Sequence, residues 1–332
     1  MLFLSRRALL LGSLAVAGAQ FVASGAQAGG TLKIGVLKFG TVNWEIDVIK
    51  ANGLDAKNGV AVEMTELASN DATRIALQGG EVHAIVSDFL WAARMRAEGK
   101  PVVFVPFSAT EGALMVPGGS PVAKLADLRG RKIGVAGGPL DKSWLLLQGW
   151  ARANHGIDLA KEAEPVFGAP PLLSEKVLAG ELDAVLTYWN FAARLEARGF
   201  RTLVSPDEAA RSFGVEGAVA MIGYVFDEVW ASQNVDTVRG FVAASRAAKA
   251  LLATSEAEWV RIRPLTRSED EATFQALKRR FREGIPARPL AQEEADAGRL
   301  YDVLSRIGGE KLVGPAKTLP AGIYWSGLRS AS

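Results

Sequence analysis

Gly80-Glu81-Val82-His83-Ala84-Ile85-Val86-Ser87 returns one hundred positions later as Gly180-Glu181-Leu182-Asp183-Ala184-Val185-Leu186-Thr187. The echo extends outward on both sides. Ala92-Ala93-Arg94 recurs as Ala192-Ala193-Arg194, Gly99 as Gly199 and Pro106 as Pro206; upstream, Lys33-Ile34-Gly35-Val36 recurs as Lys132-Ile133-Gly134-Val135. A period near 100 is too long for a solenoid, whose units run to roughly 20–50 residues. It fits two similar α/β lobes on one chain, with a cleft between them. The alternative is chance similarity between two strand–helix units.

Around the repeats, strands alternate with helices. Strands are expected at 31–37, 60–67, 82–86, 102–107 and 111–116, with helices at 43–52, 71–78 and 89–97. A second set follows, with strands at 132–135, 164–167, 182–187 and 201–204 and helices at 142–154, 172–179 and 191–197. The run 102–107 is apolar throughout, as befits a strand covered on both faces. This alternation predicts an α/β fold whose lobes are doubly wound, mostly parallel sheets. Pro117-Gly118-Gly119-Ser120-Pro121 and the stretch 212–216 read as two hinge crossings, with an apolar strand at 218–226. The expected division is therefore lobe one over 29–116 plus 217–332, discontinuous, and lobe two over 117–216. Beyond the second crossing the chain reads as helical, with Phe241, Ala244, Ala248 and Leu251 on one stripe and Phe274, Leu277 and Phe281 on another. Such stripes are core-facing surfaces.

The first 28 residues have the layout of an export signal. Ser5-Arg6-Arg7 supplies the positive start, 8–16 the apolar run, and Ala26-Gln27-Ala28 the small-x-small cleavage site. The apolar run falls short of the roughly 20 residues of a membrane span. The paired arginines suit the twin-arginine route, although Leu9 and Leu11 depart from its consensus, so the general secretory route stays open. A mature periplasmic protein from Gly29 is expected. Without Arg6 and Arg7 the 38 basic residues fall level with the 36 acidic ones, which provides no electrostatic footprint for nucleic acid. There is no cysteine, so an exported chain must hold together through its core. Nothing calls for more than a monomer.

Ligands in doubly wound sheets sit beyond the carboxyl ends of strands, so the duplication selects four loops. They contain Lys38, Asn43 and Trp44; Ser87, Asp88 and Trp91; Gly137, Gly138, Asp141 and Lys142; and Tyr188, Trp189 and Asn190. Half of the eight tryptophans (Trp44, Trp91, Trp144 and Trp189) lie in or just beyond these loops. Aromatic walls bury ligand area with few rotatable bonds; the same rings also serve to pack helices on sheets. Gly137-Gly138-Pro139 before a helix start would offer N–H groups and a helix dipole to an anion. Equally, Asp141 would act as an ordinary helix cap and Lys142 would be solvated. A P-loop is excluded because Asp141, not glycine, precedes Lys142. Asp88 and Glu216 are further candidate acceptors, with capping and solvation as their plain alternatives.

Signs of catalysis are thin. The two histidines, His83 and His155, fall away from these loops, and there is no metal-binding spacing or G-x-S-x-G elbow. The chain reads as a binder without cofactor or metal.

The segments Leu32-Lys33-Ile34-Gly35-Val36, Leu77-Gln78-Gly79-Gly80-Glu81-Val82-His83-Ala84, Leu125-Ala126-Asp127-Leu128-Arg129-Gly130-Arg131-Lys132-Ile133-Gly134-Val135 and Leu178-Ala179-Gly180-Glu181-Leu182-Asp183-Ala184 resemble the periplasmic solute-binding proteins of ABC importers. The likeness is to their nitrate/sulfonate/taurine group, related to thiamine-precursor binders. It implies a two-lobed periplasmic-binding-protein-like (type II) clamp that closes on a small organic solute and presents it to a membrane permease, with ligand contacts in the four loops above. Two departures stand out. Family members often carry a Ser/Gly-rich loop where Gly137-Gly138-Pro139-Leu140-Asp141 stands, which counts against a sulfonate or nitrate ligand. Many also carry an acid where this chain has Asn190. The rival readings are an enzyme on the same fold, like the pyrimidine-synthesising relatives that depend on histidine and cysteine, and an exported solute-sensing module.

Overall fold

The computed structural model describes residues 29–331; the export signal expected over 1–28 lies outside them. Strands β1 (Gly30–Leu37), β2 (Val60–Leu67), β3 (Ala84–Asp88) and β4 (Val102–Ser108) lead into β5 (Ala113–Pro117), β6 (Lys132–Ala136), β7 (Glu164–Gly168), β8 (Ala184–Thr187) and β9 (Phe200–Val204), and β10 (Ile222–Asp227) comes last. They form two five-stranded sheets, ordered β2-β1-β3-β10-β4 and β7-β6-β8-β5-β9. The orders are the same once β6 is laid on β1 and β8 on β3, which are the strands carrying the sequence repeats. In the first sheet β1 pairs in parallel with β2 and β3, as β6 does with β7 and β8 in the second. The strand running against its neighbours is β10 in one sheet and β5 in the other. Each is the strand that follows a crossing.

One boundary moves. Strand β5 was expected to close lobe one, with the crossing at Pro117-Gly118-Gly119-Ser120-Pro121, yet it pairs with β8 and β9 in the second sheet. The chain crosses at 109–112, and the Pro/Gly cluster is a turn that follows β5. At Gly112 an added Cβ would meet the Thr187 carbonyl oxygen at 1.7 Å, so only glycine lets the crossing pass β8 this closely. The crossing is also pinned to the C-terminal helices, since Ala109 N–H donates to Gly284 O (2.8 Å) and Thr110 Oγ1 to Arg280 O (3.0 Å). The return crossing hangs on the helix Leu290–Gly308. There Asp296 accepts from Glu216 N (3.0 Å) and Gly217 N (3.1 Å), and Glu293 from Ala220 N (3.2 Å).

Each sheet is buried on both faces, which explains strands that read as apolar runs. Leu32, Ile34 and Val36 pack under the helices Val42–Ala51 and Val235–Thr254, while Ile85, Phe89 and Phe104 face Leu300 and Tyr301. In the second sheet Ile133 and Val135 pack on Trp144 and Leu147, and Val185 on Leu173 and Leu195. A buried carboxylate, Glu45, sits inside the first core. It is satisfied by Tyr224 Oη (2.7 Å), Ser245 Oγ and the ammonium of Lys249, as a buried charge must be.

Two helix contacts join the halves. Leu145 and Leu146 of helix Lys142–His155 pack with Leu300, Val303 and Leu304. On the other side, Trp189 and Ala193 of helix Trp189–Ala197 pack with Trp44 and Phe281. Arg194 of the same helix donates to Thr266 O (2.8 Å), Arg267 O (3.0 Å) and Glu269 Oε1 (3.1 Å).

Candidate ligand site between the sheets

Three of the four selected loops converge. Gly137 and Gly138 lie at φ 87° and 95°, a region that side-chain-bearing residues avoid. A Cβ on Gly137 would fall 2.8 Å from both Asp141 Oδ2 and Tyr188 Oη, which brings the turns after β6 and β8 together. Asp88, the last residue of β3, lies close enough to act on the charges of Lys142 and Tyr188. Their roles, however, are internal. Asp141 accepts from the N–H groups of Ser143 (3.0 Å) and Trp144 (3.1 Å), so the helix start expected to cradle an anion is filled by its own cap. Asp88 caps the helix Phe89–Ala97 through Trp91 N–H (2.9 Å) and pairs with Arg74 (3.4 Å). Lys142 is largely withdrawn from solvent, 3.5 Å from Glu111 Oε2.

These charges tune one another. Burial raises the Glu111 carboxyl to about 7, against the pull of Lys142. Burial also works against the Lys142 ammonium, but Glu111, then Asp141 and Asp88, hold it above the usual lysine value. Asp141 is pushed up by burial, opposed by Lys142. Beside this cluster a cavity of about 20 Å³ is lined by Glu111, Lys142, Ser143 and Asp207 among apolar side chains. It has room for little more than a water-sized group.

The solute-sized space lies on the other side of the Tyr188-Trp189-Asn190 turn. A groove of about 900 Å³ runs between the halves. Its first wall is the 38–44 turn with Met64 and Glu66 of β2; its second is formed by helices Pro170–Leu178 and Trp189–Ala197, with Ser174, Leu178, Asn190 and Arg198. Leu265 to Arg267, from the end of helix Glu256–Thr266, close one end. Asn43 holds the first turn by donating to Leu37 O (3.1 Å), and its Oδ1 is buried without a partner, as is Ser174 Oγ on the opposite wall.

Of the expected site residues, Lys38, Asn43, Trp44 and Asn190 therefore line the groove. The tryptophans divide differently from expectation. Trp44 is 5% exposed, packs edge-on against Trp189 and Trp259, and donates its indole N–H to Leu265 O (3.1 Å). Trp189 packs with it and Phe281, Trp91 lies under the Arg74 guanidinium, and Trp144 is buried in the second core. Helix register turns Trp44 and Trp144 into the cores, whereas Trp91 and Trp189 are only partly buried against them. Ser87 is buried within β3. Glu216 does not line the groove. Its carboxylate is largely exposed 3.5 Å from Arg299, and only its backbone is held, by Asp296. Phe39, Met64, Ser174, Leu178, Arg198 and Arg267 were missed. Phe39 sits inside a selected loop; the others come from elements that no local pattern connects to a site.

A family model described as NMT1/THI5 like matches residues 48–257. The chain belongs to the NMT1/THI5-like family. No curated protein matches it. Among solved structures, this family member is similar to the periplasmic aliphatic sulphonate binding protein SsuA from Escherichia coli, with 17% identity, 89% of this chain and 92% of that one covered, and a TM-score of 0.70. It is also similar to the alkanesulfonate-binding protein SsuA from Xanthomonas axonopodis pv. citri bound to MOPS, with 18% identity, 89% and 98% coverage, and a TM-score of 0.64. A third similar structure is a mutant of DSZB in complex with biphenyl-2-sulfinic acid, with 15% identity, 91% and 98% coverage, and a TM-score of 0.60. At these identities the likeness establishes the two-lobed fold, which transport proteins and DSZB share.

Both histidines of this NMT1/THI5-like chain lie outside the groove. His83 accepts from Lys33 N–H and stacks on Trp230; His155 packs on Trp150 at a helix end. Among the described residues no group of three His, Cys, Asp or Glu is placed to hold a metal, and no helix is long and apolar enough to cross a membrane.

Proposed function

We propose that this chain is an exported solute-binding receptor that captures a small organic molecule in the groove between its sheets and delivers it to an ABC-type import permease. The observation that carries this reading is the groove itself. At about 900 Å³ it matches the roughly 300–1,000 Å³ of small-molecule sites, and both halves wall it. Family membership and the periplasmic SsuA neighbours support the same reading, as does the export pattern of residues 1–28. Capture follows from hinge closure at 109–112 and 212–221, since a solute shifts the open–closed balance by its differential affinity for the closed form.

The test is native mass spectrometry of the protein purified from its own cells, followed by calorimetric titration of the recovered solute. One solute per chain, bound more weakly by Asn190→Ala with an unchanged melting temperature, is the expected result. A chain that carries nothing and binds nothing from its own growth medium would sink the receptor reading.

A further inference from the structure

We propose that the groove selects a bulky, largely apolar solute with a flat ring system, stacked on Phe39 and lying against Met64, Leu178 and Leu265. The inference rests on the receptor reading and adds to it the chemical class of the solute. Eleven large hydrophobic residues are exposed among the described residues, and four of them line this one groove: Phe39 (64%), Met64 (42%), Leu178 (38%) and Leu265 (43%). Single exposed apolar side chains are ordinary, but several gathered on one concave site mark an interaction surface. They come from separate elements, a turn, a strand and two helix ends, so no single amphipathic pattern explains their exposure.

The charges of the groove do not ask for a charged solute. Asp47 is paired with Arg261, Lys50 with Asp55 at 2.7 Å, and Arg194 with Glu269 at 3.1 Å. Lys38, Arg198 and Arg267 remain against Glu66 and Glu175, a near balance. The helix start that would have gripped an anionic head is occupied by Asp141. Size points the same way, because a solute of a few heavy atoms would leave most of a 900 Å³ groove filled with water against exposed hydrocarbon.

Arg267 gives the groove its cover. Its guanidinium lies 4.2 Å from the Phe39 ring centroid, and it is the one described non-glycine residue in the left-handed region (φ 52°). Side chains avoid that conformation, and here Arg194 holds it by donating to the Arg267 carbonyl. At 4.2 Å the guanidinium already covers that ring face, and Lys38 Nζ lies 5.7 Å from the same centroid, so a flat solute would take the face by lifting Arg267, which would then close over it as a second cation–π layer.

The probe is N-phenyl-1-naphthylamine, neutral, flat and fluorescent on burial, with taurine and ethanesulfonate as small polar competitors. Saturable one-to-one binding is expected, and millimolar taurine or ethanesulfonate should not displace the probe. Phe39→Ala should weaken binding about tenfold, from lost stacking and burial, without a change in melting temperature, since Phe39 is already exposed. Met64→Ser tests the opposite edge with the same expectation. Unchanged probe affinity in both variants, or displacement by either small sulfonate, overturns the inference. If the native protein instead yields a small polar solute whose affinity falls in Asn190→Ala, the class is wrong and the receptor reading survives.

Discussion

Glu293→Gln should make the protein more stable at pH 8 and leave it nearly unchanged at pH 5. Glu293 is 3% exposed on helix Leu290–Gly308, where it accepts from Ala220 N–H in the return crossing. Burial raises its carboxyl from 4.5 to about 7, opposed by that hydrogen bond and by Arg288. The folded state therefore holds the proton more tightly than the unfolded chain does, and folding takes up a proton between those two values. Stability contributed by this group is present below about 4.5 and is lost as pH rises through about 7. Each pH unit between the two values is worth about 1.4 kcal/mol, so the loss approaches about 3 kcal/mol by pH 8. Glutamine removes the ionisation but keeps a side-chain oxygen for Ala220. Its amide adds a buried donor that costs on the order of 1 kcal/mol, so the variant should gain about 2 kcal/mol at pH 8. Urea denaturation at pH 5, 6.5 and 8 reads this directly. Parallel pH profiles for the two proteins would refute the reasoning, because Glu293 would then titrate in the ordinary range.

Trp44→Ala removes a core ring, so it should cost about 3–5 kcal/mol by urea denaturation; a loss below about 1 kcal/mol would put the indole back among the solute contacts. At Asp141 the role is capping, so Asp141→Ala should cost about 1 kcal/mol and Asp141→Asn much less. Equal losses in both variants would mean that charge, not cap geometry, matters there.

The duplication was legible because both central strands of each sheet must be apolar and small at matching points. β1 and β6 share Lys-Ile-Gly-Val, and β3 and β8 share the Gly-Glu turn before them. The place of β5 was not legible. A strand carries no mark of which sheet it joins, and the Pro117–Pro121 turn is louder in sequence than the crossing at 109–112 that Gly112 makes possible. Loop positions for the site were readable from topology, which brought Lys38, Asn43 and Asn190 to the groove. Side-chain direction was not. Trp44 and Trp189 are the third and first residues of their helices, and a modest change of register would point them at solvent instead of each other. Ser174, Leu178 and Arg267 reach the groove only through packing between distant segments, and their sequence neighbourhoods read as ordinary helix and helix end.

The most direct test of solute capture between the sheets is hydrogen exchange, followed with and without the solute recovered from the native protein. The account predicts slowed exchange in both walls together, at 38–44 in the first half and at 174–178 and 188–191 in the second. Protection confined to one half, or lying outside the groove, would contradict it.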